Sequence, residues 1–395
     1  MKIIKNIISE NTISIVLVFL LIFTACSKCD PSIQYSYVPP EHINDGFEVG
    51  SLEDVNIDPA LLEKAVDKIN CGKYDEVHSM IIFKDGKLVF EEYFPGHRYK
   101  WDGANHHGEW ISWDRSTPHG VKSVSKSITS ICVGIAIDKG FIESVHQSIF
   151  DYLPDHQHLK TNDKEKITIE HLLTMTSGLE WADLGNASND IVGIWYQDKD
   201  PITFILEKPL INNPGTTFNY SGGNTIILGE IIKNASNMEL DEFSKENIFK
   251  PLEIDSSNWP LRFDNGVIEA GGGLEMTPRD MTKIGVMCLN NGIFNGIQII
   301  SEQWIEKCNI QYSNNTNIDI PGHTSGMHGY SYSWWLKPYK KSGEEINMYH
   351  AVGWGGQEII ILPELNTVVV FTGGNYIPNV KVVEILEEYI IPAIN

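Results

Sequence analysis

The stretch that most limits what this chain can become is Pro118-His-Gly-Val-Lys-Ser-Val-Ser-Lys-Ser-Ile-Thr-Ser-Ile-Cys-Val-Gly-Ile-Ala-Ile-Asp-Lys-Gly140. Apolar residues at Val124, Ile128, Ile131, Cys132, Ile135 and Ala136 keep the helical period, and Asp138-Lys139-Gly140 supplies a stop. This predicts a buried helix. Ser123 falls at its first turn and Lys126 one turn on, on the same face, where hydroxyl and amine can meet. A serine hydroxyl attacks well only when a base takes its proton, and a lysine amine becomes that base when its surroundings loosen its own proton. The free N–H groups and partial positive charge of a helix N-terminus suit a developing oxyanion. Ser123 and Lys126 are therefore the candidate nucleophile and base.

The length of 395 residues allows two or three domains, and 42% hydrophobic residues can fill a large core. A net charge of −22 argues against nucleic acid and against a polybasic contact with a membrane. Lys2 and Lys5 precede an apolar run, Ile13 to Phe23, that is short for a membrane span and reads as a signal-peptide core. It ends in Phe23-Thr-Ala-Cys26, which resembles a bacterial lipobox with Phe23 in place of the usual Leu. Lipidation of Cys26 would place the protein at the bacterial cell envelope, touching membrane only through that anchor. Residues 1–26 are thus read as a lipoprotein leader, and 27–45, with Pro31, Pro39 and Pro40, as a linker. Cys71, Cys132, Cys288 and Cys308 lack metal-ligand spacing and read mostly as packed thiols.

Along the chain, Pro59 to Asn70 has helical spacing and leads to a hairpin, Val77 to Phe83 and Leu88 to Phe94, around Asp85-Gly86. Residues 95–119 read as irregular. Their His97, His106, His107 and His119 read as solvated loop side chains, as do His156 and His158, because no His-x-x-x-His or Cys-x-x-Cys spacing supports a metal. A short helix follows within Ile167–Gly178, capped by Thr168. Further helices fall at Pro201–Glu207, Asn224–Asn234, Leu240–Ile248 and Thr277–Asn290. Ser331 to Leu336, Glu358 to Leu362 and Val368 to Phe371 read as strands, and Val380 to Ile391 as a last helix. Strands at both ends with helices between imply an α+β (α/β sandwich) fold, an antiparallel sheet flanked by N- and C-terminal helices, with an inserted all-helical domain. The α/β part covers about 46–120 and 325–395 and the helical part about 121–324, together a domain of 46–390 with a cleft between the parts.

Two further stretches could face that cleft. Pro214-Gly-Thr-Thr-Phe-Asn-Tyr220 brings a phenol to the start of a helix, where it can pass a proton near an ammonium. His350-Ala-Val-Gly-Trp-Gly-Gly-Gln357 precedes a strand, and its glycines let a carbonyl approach strand N–H groups. Trp181, Trp195 and Tyr196 lie in a polar, broken segment and could wall a substrate site or simply pack.

With Ser123-Val-Ser-Lys126, His171-Leu-Leu-Thr-Met-Thr-Ser-Gly-Leu179, Pro214 to Ser221, Met276-Thr-Pro-Arg-Asp-Met281 and Gly353-Trp-Gly-Gly-Gln357 in order, the chain resembles the serine β-lactamase and penicillin-binding-protein superfamily. The resemblance is to its class C-like branch of esterases, D,D-peptidases and 6-aminohexanoate-oligomer hydrolases. It implies a β-lactamase/transpeptidase-like fold, no cofactor, and acyl transfer through Ser123, with Lys126 as base partner, Tyr220 as proton relay and Trp354 N–H joining Ser123 N–H as oxyanion donors. Trp181, His350, Gly353 and Gly355 are the candidate substrate contacts. Two departures stand out. Tyr220-Ser-Gly222 replaces the usual Tyr-x-Asn, and Ala351-Val352-Gly353 replaces Lys-Thr-Gly, which removes a cation that would hold a substrate carboxylate. His350 is a candidate to replace it in part. The expectation is hydrolysis of a small ester or amide, ahead of a D,D-peptidase, D-amino-acid peptidase or weak β-lactamase, and ahead of a non-catalytic binding or sensor protein on the same fold. No Gly-x-Ser-x-Gly supports an α/β-hydrolase.

Overall fold

Two β-branched runs near opposite ends of the chain carry apolar side chains on successive residues, so each demands cover on both faces. In the computed structural model they become β2 (Val77–Lys84) and β11 (Thr367–Gly373), paired antiparallel with Ile81 opposite Val370 and Ile82 opposite Val369. The structure describes residues 34–161, 163–183, 190–312, 315–341, 343–377 and 380–395. The leader and Cys26 lie outside them.

The other strands of this sheet are β1 (Glu48–Val49), β3 (Lys87–Tyr93), β6 (Ile318–Asp319), β7 (Met327–Tyr330), β8 (Trp335–Lys341), β9 (Glu344–Gly353) and β10 (Gln357–Leu362). Their order is β1-β3-β2-β11-β10-β9-β8-β7-β6, with β1 parallel to β3 and the remaining pairs antiparallel. Side chains alternate across it. Met80, Ile82, Ile360, Val369 and Phe371 meet α1 (Pro59–Asn70) and the C-terminal helical turns of 382–393. Ile81, Ile359, Ile361, Val368 and Val370 meet a core that includes α2 (Val124–Asp138) and α5 (Pro278–Leu289). α3 (Ile169–Leu173) and α4 (Gly222–Ser236) complete that side, the first fixed by a capping box between Thr168 and His171.

Several elements differ from the sequence-based expectation. Residues 95–119 hold β4 (Pro95–Tyr99) and β5 (His107–Ser112), an antiparallel pair outside the main sheet whose polar, partly exposed residues hide the strand period. His119 is not solvated: it is buried and stacks on Trp113 at 3.8 Å. Ser331–Trp334 is a turn between β7 and β8 rather than strand, because Ser333 takes a left-handed φ of 63°. The expected linker is docked at its described end, where Tyr35 N–H donates to Asp67 at 2.9 Å and the Tyr37 hydroxyl to the Val89 carbonyl at 2.7 Å. Cys132, Cys288 and Cys308 are buried free thiols, whereas Cys71 is disulfide-bonded.

The same docked segment gives Met276-Thr-Pro-Arg-Asp280 a physical role. Arg279, 4% exposed, donates Nε to Glu91 at 2.7 Å and Nη2 to the other Glu91 oxygen at 2.5 Å, while Nη1 reaches Asp45 at 2.7 Å. Glu91 is equally buried, so either partner alone would be an uncompensated charge. Arg279→Met is expected to cost about 3–5 kcal/mol of unfolding free energy in a urea titration, far more than an exposed pair such as Lys199–Glu207.

Candidate active site

Helix α2 is buried from Val124 to Ala136 although it carries Ser125, Ser127, Thr129 and Ser130. Buried hydroxyls are tolerated only with partners. Ser127 donates to the Ser333 carbonyl at 2.6 Å, Ser130 to Tyr332 at 2.8 Å and Thr129 to Ala270 at 2.9 Å, while Ser125 accepts from Leu274 N–H at 3.2 Å. These four bonds fasten two loops to the helix. Ser123 sits at its N-cap with a hydroxyl that caps no backbone N–H. Lys126 Nζ donates to that hydroxyl at 3.0 Å and to the Gly271 carbonyl at 2.8 Å.

The Tyr220 ring lies beside the same amine, its centroid 5.0 Å from Lys126 Nζ, and stacks on Trp335. Tyr220 immediately precedes Ser221, whose hydroxyl accepts Asn224 N–H and caps α4. On the opposite side β9 ends at Gly353. A Cβ there would stand 2.2 Å from the Val121 carbonyl oxygen, so only glycine lets the strand end approach the start of α2. That approach brings Trp354 into the wall of a cavity of about 720 Å³ with Ser123, Lys126, Tyr220 and Gly353.

Three charged cavity residues went unnoticed in the sequence: Lys122, Asp183 and Glu269. Asp183 accepts from Trp181 Nε1 at 2.8 Å and from Gly222 N–H at 3.1 Å; Glu269 accepts from Gly271 N–H at 3.1 Å. Burial pushes both carboxyls above the usual range, with Lys126 pulling the other way. Burial alone would loosen the proton on Lys126, but Tyr220, Asp183 and Glu269 outweigh it and hold the amine above the ordinary lysine value. The available signals were weak: a carboxylate two residues after Trp181, and another just before Gly271-Gly-Gly273.

The remaining candidates divide. Trp195 and Tyr196 line the cavity, while Trp181 is 6% exposed and acts behind it by holding Asp183. Gly355, with φ of 94°, is packed against Tyr376 and, among the described residues, is not part of the lining. His350 does not face the cavity either. It is wholly buried on β9, with Nδ1 3.0 Å from Glu358, and burial pulls its imidazole down to about 3, so it is neutral and cannot replace a cation. Near β4 and β5, Glu76, His97 and His107 place ligand atoms within 4.8 Å of one another. The two rings stack at 4.3 Å with planes 7° apart, so their in-plane lone pairs do not meet at one ion as arranged.

A family model described as Beta-lactamase matches residues 77–373. The chain belongs to the beta-lactamase family. It is 26% identical over 264 residues to 6-aminohexanoate-dimer hydrolase of Paenarthrobacter ureafaciens, covering 64% of this chain and 65% of that one. It is 27% identical over 162 residues to acyltransferase mokF of Monascus pilosus, covering 37% and 39%. The match thus spans less than two thirds of these relatives' length. In fold it is similar to the octameric penicillin-binding protein homologue of Pyrococcus abyssi (TM-score 0.61, 22% identity, 85% of this chain and 77% of that one). A family VIII carboxylesterase gives a TM-score of 0.64 at 16% identity, over 84% and 96%. Likenesses at these identities establish the β-lactamase/transpeptidase-like fold. Among the described residues no helix is long and apolar enough to cross a membrane.

The buried histidines in and behind the cavity wall set an acid limit. Burial lowers His350 and His328 to about 3 and His323 to about 4, so each is neutral when folded and gains a proton on unfolding below about 6.5. Their stabilisation is present above that pH and is lost as the pH falls toward the folded values. Glu358, raised to about 7 by burial, has the opposite sign, as do the buried carboxyls of Asp183 and Glu269, while the buried His78 and His119, also lowered, add to the three. The melting temperature is therefore expected to fall as pH drops from 6.5 to 4, and His350→Asn to flatten that slope in a pH series of thermal melts.

Proposed function

We propose that the protein is a serine hydrolase that cleaves a small ester or amide through an acyl-enzyme on Ser123. The observation that carries this is the 3.0 Å contact from Lys126 Nζ to Ser123 Oγ at the N-terminus of a buried helix, open to a cavity. The relation to a 6-aminohexanoate-dimer hydrolase supports the amide half of the reading, and the likeness to a carboxylesterase of the same fold the ester half.

In this mechanism Ser123 Oγ attacks the acyl carbon while its proton passes toward Lys126 and Tyr220. The carbonyl electrons move onto an oxyanion held by the N–H groups of Ser123 and Trp354. The acyl C–O or C–N bond then breaks, and the stored proton goes to the leaving alcohol or amine. A water repeats the sequence on the acyl-enzyme and releases the acid. Gly353 supplies the close approach that the oxyanion donors need. Tyr99, Trp195, Leu261, Trp335 and Ile377 give the cavity a mainly apolar wall, which favours substrates with hydrocarbon or aromatic parts and strengthens charge contacts at the reacting centre. Because Ala351, Val352 and Gly353 offer no cation, a β-lactam or a peptide carboxylate finds no partner at that strand, which puts esterase or amidase action ahead of β-lactamase or D,D-peptidase action. Lipidated Cys26 is proposed to attach the protein to the bacterial envelope, with the catalytic domain outside the bilayer.

Hydrolysis of a short-chain p-nitrophenyl ester beside a chromogenic cephalosporin tests the reaction. Ser123→Ala should abolish ester turnover. Lys126→Ala and Tyr220→Phe should each lower kcat/KM by about 10²–10⁴-fold with circular dichroism unchanged. Full activity in Ser123→Ala would remove the mechanism, and rapid cephalosporin cleavage would reverse the order of substrates.

The carboxylates give a separate, signed test. If Lys126 must shed a proton to accept that of Ser123, the rate rises with pH. Asp183 holds that proton on, so Asp183→Asn should move the rising limb of kcat/KM to lower pH. A shift the other way would take Lys126 out of the base role.

A further inference from the structure

Lys122 is the residue before the nucleophile, and its backbone is in the left-handed region, with φ of 52°. Glycine occupies that region without strain, whereas a side chain there is held against a local preference. The side chain it presents is an ammonium in the cavity wall beside Ser123, Trp354 and Tyr376.

That ammonium is unlike the cavity's other lysine. Lys126 is taken up by the Ser123 hydroxyl and the Gly271 carbonyl. Among the described residues Lys122 Nζ makes no hydrogen bond and no ion pair. It lies 3.3 Å from the centroid of the Tyr99 ring and 5.9 Å from that of Tyr376, contacts with π faces that leave N–H donors unspent. Glu269 and Glu275 act on it only at longer range, and burial draws its proton affinity down to about 8, so it is still charged at neutral pH. Asp183 and Glu269, the carboxylates nearest the reacting centre, already accept backbone N–H bonds and share Lys126.

We propose that Lys122 is a substrate-binding residue whose ammonium receives a carboxylate carried by the ester or amide itself, a short distance along the substrate from the carbonyl that Ser123 attacks. This role rests on the hydrolase reading only for where that carbonyl lies. A single negative charge suits the site, since one ammonium set among aromatic faces can neutralise one charge but not a dianion. The carboxylate can belong to the acyl part, as in a half-ester of a dicarboxylic acid, or to the leaving part, as in an ester of a hydroxy acid. Both present the same group to the same donors, and Tyr99 and Tyr376 would cover its hydrocarbon arm.

Binding can be read apart from turnover in the full chain carrying Ser123→Ala. Isothermal titration would compare monomethyl glutarate with dimethyl glutarate, and 4-acetoxybutyrate with its methyl ester, at low ionic strength. A charge-assisted contact predicts that a carboxylate binds at least about tenfold tighter than its own methyl ester in one of the two pairs, and that pair names the acyl or the leaving side. Adding Lys122→Met should erase the difference, and Lys122→Arg should restore most of it, with melting temperatures confirming that each variant is folded. Equal binding of carboxylate and methyl ester in both pairs, or a preference that survives Lys122→Met, overturns the proposal. Turnover of these esters by the chain with Ser123 intact is scored separately: its absence counts against the hydrolase reading, while the titrations still decide the role of Lys122.

Discussion

The hydroxyls of α2 are the interaction on which the rest of the site depends. A helix buried from Val124 to Ala136 cannot leave Ser125, Ser127, Thr129 and Ser130 unpartnered without a desolvation cost at each. Bonding them to Ala270, Leu274, Tyr332 and Ser333 removes that cost and, by the same contacts, fixes the two loops that surround Lys126. The Gly271 carbonyl reaches the amine, and the Glu269 carboxyl acts on it electrostatically, because Thr129 and Ser125 hold that loop down. Polar satisfaction of the helix and construction of the site are one set of bonds.

Burial makes the electrostatics of the site consequential. In a wall this apolar burial loosens the proton of an ammonium and tightens that of a carboxyl. Asp183, Glu269 and Tyr220 hold the proton on Lys126, and Lys126 in turn opposes the burial that raises the two carboxyls, so the state of the nucleophile's partner depends on all of them. Lys122 stands outside this group, its ammonium facing aromatic rings. The two lysines thus differ in kind: one is consumed by the protein's own groups and the other is left for something that enters.

The sheet supplies rigidity at the remaining edge. Strand β9 is buried over most of its length and is locked between β8 and β10, so the position of Gly353 is set by a ladder that runs back to Glu344. With the Val121 carbonyl where a Cβ would be, the strand end and the helix start hold one geometry. His350 contributes to this ladder as a buried neutral imidazole against Glu358, which is structural work within the sheet rather than contact with a ligand.

Periodicity made much of this legible in the sequence. The helical spacing of Val124 to Ala136, the runs of β2, β10 and β11, and the pairing of Ser123 with Lys126 depend on residues close in the chain, where local geometry leaves few choices. Tyr220 and Gly353 were legible as motifs. What sequence left hidden were elements whose cause lies in distant contacts. The β4–β5 pair lacks an apolar face, the Ser331–Trp334 turn is shaped by α2, and Trp181 turns away from the cavity to hold Asp183. Asp183, Glu269 and Lys122 carry no local signature, because a charge becomes functional only when tertiary packing removes the water around it and chooses its neighbours. The sequence by itself determined which helix is buried and which hydroxyl and amine lie one turn apart on it; the tertiary structure decided which charges surround them, since burial and proximity are properties of the folded chain.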